Sequence, residues 1–366
     1  MAASVVPDSK IIIELRTSDA RNAPVFLVGN FNEWRVGDSR YLLQKIKKGL
    51  YRFEFPDKKL LPAVLEYKYA RGSWDTVELD QNGNEVPNRV FHTSEGYISD
   101  TVPRWKQGRM AYVPGFLPKI QVIPESFQVP DSIKTRRIAA LLPYNYNSSE
   151  RRYPVLYLQD GQNLFDDHAP FGNWGVDKQL AVLAEKGLGD VIVIAIDHAA
   201  EARIVEFTPS YPTRLGTGEG EKYARFLAET LKPFVDAHFR TLPEREHTGI
   251  GGSSMGGLVS IYAGLMFPEV YSKLMIFSPS LWVAPNIHAH SGNLRKPYAT
   301  KIYLYGGGAE SAGMAPSLKR IKETLEQQGQ GSKMNVRLVI DPKGKHNEAR
   351  WGKEFPRAIR WLFFQK

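Results

Sequence analysis

The sequence predicts an α/β fold with a mostly parallel sheet, preceded by a small all-β sandwich, on three observations. From Lys119 onward, strand-like and helix-like segments alternate, a pattern that implies right-handed crossovers and a sheet covered on both faces. Before residue 100 the apolar segments are short, rich in β-branched and aromatic residues, and separated by Gly, Pro, Asn and Asp, which is the pattern of a sandwich. The chain has 366 residues, and roughly 100 to 200 residues per domain leave room for both.

Taken in order, IIIEL, APVFLVG, YRFEF, AVLEYKYA, WDTVEL and NRVFH are the expected strands of the β-sandwich, placed at residues 1–100. Residues 101–118, with three prolines, two glycines and no periodicity, are the expected linker. The α/β domain is placed at 119–366. In it KIQVI and RRIAALLP read as strands, while YPVLYLQ and VIVIAI are apolar throughout, as strands buried on both faces are. EKYARFLAETLKPFVDAHF carries the clearest helical period. KLMIFSP, KIYLYGG and NVRLVID follow as strands, with helices expected around 316–328 and 355–364.

Composition removes several chemistries. Without cysteine there is no disulfide, thiolate metal site or cysteine nucleophile, which fits a reducing compartment. The net charge of +9 lies downstream, since residues 1–100 hold 14 Lys and Arg against 14 Asp and Glu, leaving 34 against 25. No basic run with interleaved aromatics appears, so nucleic acid is not the expected partner. The first residues lack the basic start and apolar run of a leader, and no window reaches the roughly 18 apolar residues of a membrane span. The expectation is therefore a cytoplasmic protein, although a trimmed leader would leave the same sequence.

The chemistry centres on Gly252-Ser253-Ser254-Met255-Gly256, a G-x-S-x-G turn between a strand and a helix that presents Ser254 above the sheet. Ligands on such sheets bind at the carboxyl ends of the strands, which is where partners should be sought. Glu310 follows KIYLYGG and His346 follows NVRLVID. The order Ser254, Glu310, His346 is the one expected of an α/β-hydrolase. Glu310 is preferred as the acid because no aspartate follows that strand until Asp341, on the next one. A serine hydroxyl needs a base to take its proton, and imidazole titrates near neutrality, at about 6.5. A carboxylate holds that imidazole in one tautomer, and backbone N–H donors stabilise the oxyanion. Met255, after the serine, supplies one such N–H, and the Asp160-Gly161-Gln162-Asn163 loop is expected to supply the other. Ser253 is the competing serine.

YPVLYLQDGQNLF, GNWGVDKQL, GGSSMGG, SPSLW and GKHNEARW together resemble the putative-esterase family related to esterase D, over about Gln121 to the C-terminus. The resemblance implies a serine carboxylic-ester hydrolase with the triad Ser254, Glu310 and His346, and Gln162 as the second oxyanion donor. It also implies that Asp160, Trp174, Asp197, Arg203 and Trp282 lie near the cleft, with packing an equal use for the two tryptophans. No cofactor is expected. Asp166-Asp167-His168 and Asp197-His198 carry metal-ligating types, but adjacent side chains of an extended segment point to opposite faces, so no metal site is expected.

GNFNEW, Tyr67-Lys68-Tyr69, Trp74 and Asn88-Arg89 resemble starch- and glycogen-binding modules over residues 10–95. The resemblance implies glycan contacts at Trp34, Lys68 and Trp74, where aromatic faces would stack on sugar rings. A core or interface role for these tryptophans stays open. The expected substrate is an acylated carbohydrate. The alternatives are a ferric catecholate siderophore lactone, acyl transfer to a sugar hydroxyl, or, in a different class, a glycan-binding protein with a vestigial hydrolase domain.

Overall fold

The computed structural model describes residues 10–18, 23–107, 111–124, 127, 129–130, 133–169, 172–287, 298–328 and 334–365. It divides into two compact units, Met1–Val113 and Pro114–Lys366.

The first unit is a β-sandwich. Its strands are β1 (Ile11–Thr17), β2 (Phe26–Gly29), β3 (Gln44–Lys47), β4 (Leu50–Phe55), β5 (Val64–Ala70), β6 (Glu78–Leu79), β7 (Arg89–His92), β8 (Tyr97–Val102) and β9 (Arg104–Trp105). They form sheets β3-β4-β1-β8 and β2-β5-β7, with the short pair β6-β9. Ile11, Ile13 and Leu15 of β1 alternate inward and share one core with Leu27, Leu65 and Phe91 from the facing sheet, which is the period-2 burial that a sandwich requires.

Two expectations need correction here. The linker placed at 101–118 starts too early, because Thr101 and Val102 belong to β8 and Trp105 is buried, donating its indole N–H to Thr17 Oγ1 at 3.0 Å. Pro103, directly after β8, hid this strand. Residues 108–110 of that linker lie outside the described residues. WDTVEL is mostly not a strand, since Trp74–Thr76 is a 3-10 turn in which Ser73 and Thr76 cap each other. Arg89 opens β7 as expected for NRVFH, and its partly buried guanidinium donates to Glu78 Oε2 and Asp100 Oδ1, each at 2.7 Å.

The second unit carries β10 (Lys119–Val122), β11 (Ile138–Leu142), β12 (Val155–Gln159), β13 (Ile192–Ile196), β14 (Thr248–Ser253), β15 (Lys273–Phe277), β16 (Thr300–Gly307) and β17 (Met334–Asp341). Its helices are α1 (Gln162–Phe165), α2 (Val176–Ala184), α3 (Arg203–Phe207), α4 (Gly220–Arg225), α5 (Lys232–His238), α6 (Ser254–Met266), α7 (Met314–Gln328) and α8 (Glu348–Ile359). The sheet order is β10-β11-β13-β12-β14-β15-β16-β17. β11 runs antiparallel to both neighbours, and every pairing from β13 to β17 is parallel. This is the α/β-hydrolase arrangement. β11, β12, β13 and β14 are buried at every position, with one core on each face of the sheet, so their apolar or glycine-rich sequences do not alternate.

Two helices depart from simple periodicity. α4 and α5 are joined by a π-helical segment, Phe226–Leu231. It lies just ahead of Pro233, whose missing N–H and bulky ring a wider turn accommodates. α8 begins seven residues before the expected 355, where the Asn347 side chain accepts the Arg350 N–H at 3.1 Å and caps it. Pro356 inside that helix masks its first turns in the sequence. Among the described residues no helix is long and apolar enough to cross a membrane.

Candidate active site

The carboxyl ends of the parallel strands hold an unusual share of strained backbone. Among the described residues six non-glycines have positive φ, and four of them follow successive central strands: Asp160 after β12, Ala200 after β13, Ser254 after β14 and Ser278 after β15. Positive φ is costly for side chains with a Cβ and persists where surrounding structure over-determines it. At Ser254, with φ of 55°, the strain turns the chain from β14 straight into α6. Gly256 makes the turn possible, since a Cβ there would stand 2.8 Å from Asp160 Oδ2.

Ser254 and His346 line one cleft of about 480 Å³ together with Asp160, His198, Arg203 and Glu348. The His346 ring meets Glu310 through Nδ1 and Oε2 at 2.8 Å. The Glu310 side chain is only 2% exposed, against 43% for His346. Its other oxygen, Oε1, accepts the Gly307 N–H and the Ser278 hydroxyl, both at 2.6 Å. The Ser278 oxygen in turn accepts the Trp351 indole N–H at 2.9 Å. Burial alone would raise the Glu310 pKa, but the hydrogen bonds from His346, Ser278 and Gly307 outweigh it and hold the carboxyl below its usual range. A carboxylate fixed in this way keeps the proton of a neutral imidazole on Nδ1 and leaves Nε2 as an acceptor.

The two residues expected as oxyanion donors both sit at helix starts. Gln162 opens α1 and Met255 is the second residue of α6, so both backbone N–H groups belong to first turns without intrahelical acceptors. The Gln162 side chain is occupied elsewhere, donating to His198 O at 2.9 Å and accepting His198 N–H at 3.0 Å. Gly161 passes so close to Asp197 that a Cβ would meet Oδ1 at 2.5 Å.

The other residues singled out in the sequence fall into different places. Asp160 and Arg203 form a two-point ion pair at 2.7 and 2.8 Å on the cleft wall. Asp197 pairs with Arg137 at 2.9 Å and supports the Gly161 turn rather than lining the cleft. Trp174 does not line it either: it is buried, stacked on Phe277 at 5.2 Å and packed beside Trp351. Trp282 is 56% exposed and lines a separate, neighbouring depression. Ser253 is the last residue of β14, extended and buried. In the β-sandwich, Trp34 and Trp74 have ring centroids 6.5 Å apart at 31°, and Trp34 is itself at positive φ. Lys68 is half-buried, donates to the Val86 carbonyl, and its pKa is lowered by burial. Among the described residues no three metal-ligating side chains gather.

Several residues of the site escape sequence reasoning. Ser280 Oγ lies 3.3 Å from Ser254 Oγ, and Ser280 N–H donates to Ser254 O at 3.0 Å. Ser278 and Ser280 both lie in the SPSLW segment, which was the available signal. His198 faces the cleft with its pKa lowered by burial, and its Nδ1 has no hydrogen-bond partner among the described residues. Glu348, two residues after His346, has its pKa raised by burial and sits near the Asn163 amide at 3.4 Å.

A family model described as Putative esterase matches residues 133–362. YbbA of Bacillus subtilis (strain 168) is 25% identical over 244 residues, which is 62% of this chain and 92% of YbbA. A stretch of 93 residues, 24% of this chain, is 40% identical to a segment making up 7% of the alpha-amylase of Niallia circulans. An IroE-like serine hydrolase from Shewanella oneidensis shares the fold, with a TM-score of 0.54 at 19% identity over 67% of this chain and 80% of that one. With the family model spanning well over half of the sequence, the chain belongs to the Putative esterase family and is a carboxylic-ester hydrolase.

Proposed function

We propose that this chain hydrolyses esters of acylated carbohydrates through an acyl-serine formed on Ser254. In this reading Ser254 Oγ attacks the ester carbonyl while His346 Nε2 takes its proton. Glu310 keeps the Nδ1 proton in place and stabilises the imidazolium. The oxyanion is held by the N–H groups of Met255 and Gln162. Collapse of the tetrahedral intermediate breaks the C–O bond, and His346 returns the proton to the leaving alkoxide. Water, deprotonated by His346, then attacks the acyl-serine, and Ser254 leaves with the proton.

The observation that carries this reading is the 2.8 Å Glu310–His346 contact in the cleft shared with the strained Ser254. Fluorophosphonate labelling and 4-nitrophenyl acetate turnover test it together. The wild type is expected to do both, and failure of both would remove the acyl-serine mechanism.

Carbohydrate as the alcohol part is supported from two sides. The cleft wall carries Asn163, His198, Arg203 and Glu348, polar groups suited to hydroxyls. In the β-sandwich, Trp34 lies next to the 46% exposed Trp74, and a stretch of the chain is similar to part of an alpha-amylase. Affinity electrophoresis in glycogen should retard the protein, and Trp74→Ala should remove most of the retardation. Equal migration with and without glycogen would dismiss glycan binding by this unit.

A further inference from the structure

Beyond Ser280 the chain runs through Leu281 and Trp282 into a second depression, of about 270 Å³. Its floor is apolar, formed by Leu281, Ile287 and Ile321, all buried. Its rim carries an exposed aromatic ring, Trp282, and two arginines, Arg214 and Arg320. Both arginines are exposed, and neither guanidinium hydrogen-bonds or ion-pairs with another described residue. Among the described residues that line the depression there is no carboxylate.

Neither arginine is placed by chance of a long loop. Arg214 lies in a tight turn closed by Thr213 Oγ1 donating to Gly216 O at 2.6 Å, and its own N–H donates to Val283 O at 3.0 Å. That bond ties it beside Trp282. Arg320 rises from α7, a helix anchored by the buried Leu318, Ile321 and Leu325. Two cations at one small cavity with no carboxylate among its described lining residues repel each other, and an anion between them removes that cost. Guanidinium forks match a carboxylate in particular, and an indole face matches the apolar face of a ring.

The depression is also close to the nucleophile. Ser280 touches Ser254 through both its N–H and its hydroxyl, and Trp282 follows two residues later, so their Cα atoms are at most about 7.6 Å apart. That is roughly the span of one ring. Given the ester-hydrolase reading above, we infer that this depression is a subsite for a carboxylate-bearing ring in the substrate, next to the acylated position. The shared chemistry is that of a uronic acid unit of a glycan or of an aromatic acid, with the ring on Trp282 and the carboxylate between Arg214 and Arg320.

Isothermal titration calorimetry of the full chain with D-glucuronate, benzoate and D-glucose tests this without relying on turnover. At least one acid should bind and glucose should not; which acid binds tells the uronic from the aromatic source. Arg320→Gln and Arg214→Gln should each weaken that acid about tenfold, and added salt should weaken it further. Turnover of 4-nitrophenyl acetate by both variants should match wild type, which shows that they fold and that the catalytic groups are untouched. An absence of binding by both acids, or binding that survives both substitutions, overturns the subsite. Loss of fluorophosphonate labelling in the wild type would instead overturn the hydrolase reading, so the two failures are separable.

Discussion

Ser254→Ala and His346→Ala are each expected to lower kcat on 4-nitrophenyl acetate by about 10⁴- to 10⁶-fold with little change in KM, and the double variant should be no worse than either single one. Groups that act as one unit lose most of their effect when any essential member is removed, so their costs do not add. The unit here is a proton path: without Ser254 there is no nucleophile, and without His346 nothing lowers the cost of removing its proton. The residual rate should come from the N–H groups of Met255 and Gln162, which neither substitution touches. Stability should hold, because alanine at 254 meets the same positive φ that serine already occupies. Circular dichroism and a thermal melt check the fold, and spectrophotometric turnover checks the rate. A Ser254→Ala protein that keeps more than about a tenth of wild-type kcat would move the nucleophile elsewhere, with the buried Ser253 the first to test.

The parts of the molecule that could be read from sequence are those whose cause is local or periodic. β12 and β13 are legible because burial on both faces demands apolar residues at every position, as VLYLQ and IVIAI nearly have. Ser254, Glu310 and His346 could be placed at the ends of β14, β16 and β17 because parallel topology sends every carboxyl end to the same edge of the sheet. β3 was missed because QKIK is exposed at all four positions and shows no apolar alternation. The link from Glu310 through the Ser278 hydroxyl to Trp351 was not legible, since it joins residues 73 positions apart in a way that depends on side-chain reach. The placement of Trp174 illustrates the same limit. Its motif put it near the cleft, but Gly352 approaches its backbone so closely that a Cβ would lie 2.1 Å from Trp174 O, and the ring packs inward behind Trp351.

The Ser278 link has a kinetic consequence that separates orientation from charge. Glu310→Gln should lower kcat by about 10⁴-fold while leaving KM nearly unchanged. Oε1 of Glu310 receives two donors, the Gly307 N–H and the Ser278 hydroxyl, and the Ser278 oxygen already accepts from Trp351. An amide can satisfy that side only with its oxygen, because its NH2 would face the Gly307 donor. The NH2 is then turned toward His346 Nδ1, which must accept, so the ring proton moves to Nε2. That tautomer cannot take the proton of Ser254. Glu310→Asp keeps the correct tautomer preference and should therefore retain far more activity, despite a side chain one carbon shorter. The same substitution has a signed effect on stability. Because the folded-state pKa of Glu310 lies below the ordinary 4.5, its ionised form contributes stability above pH 4.5 that is lost as pH falls through the folded value. Melting temperatures should thus separate wild type from Glu310→Gln near neutrality and converge in acid. If Glu310→Gln matched wild type in kcat, or melted identically at every pH, the carboxylate would be neither orienting His346 nor ionised by its neighbours.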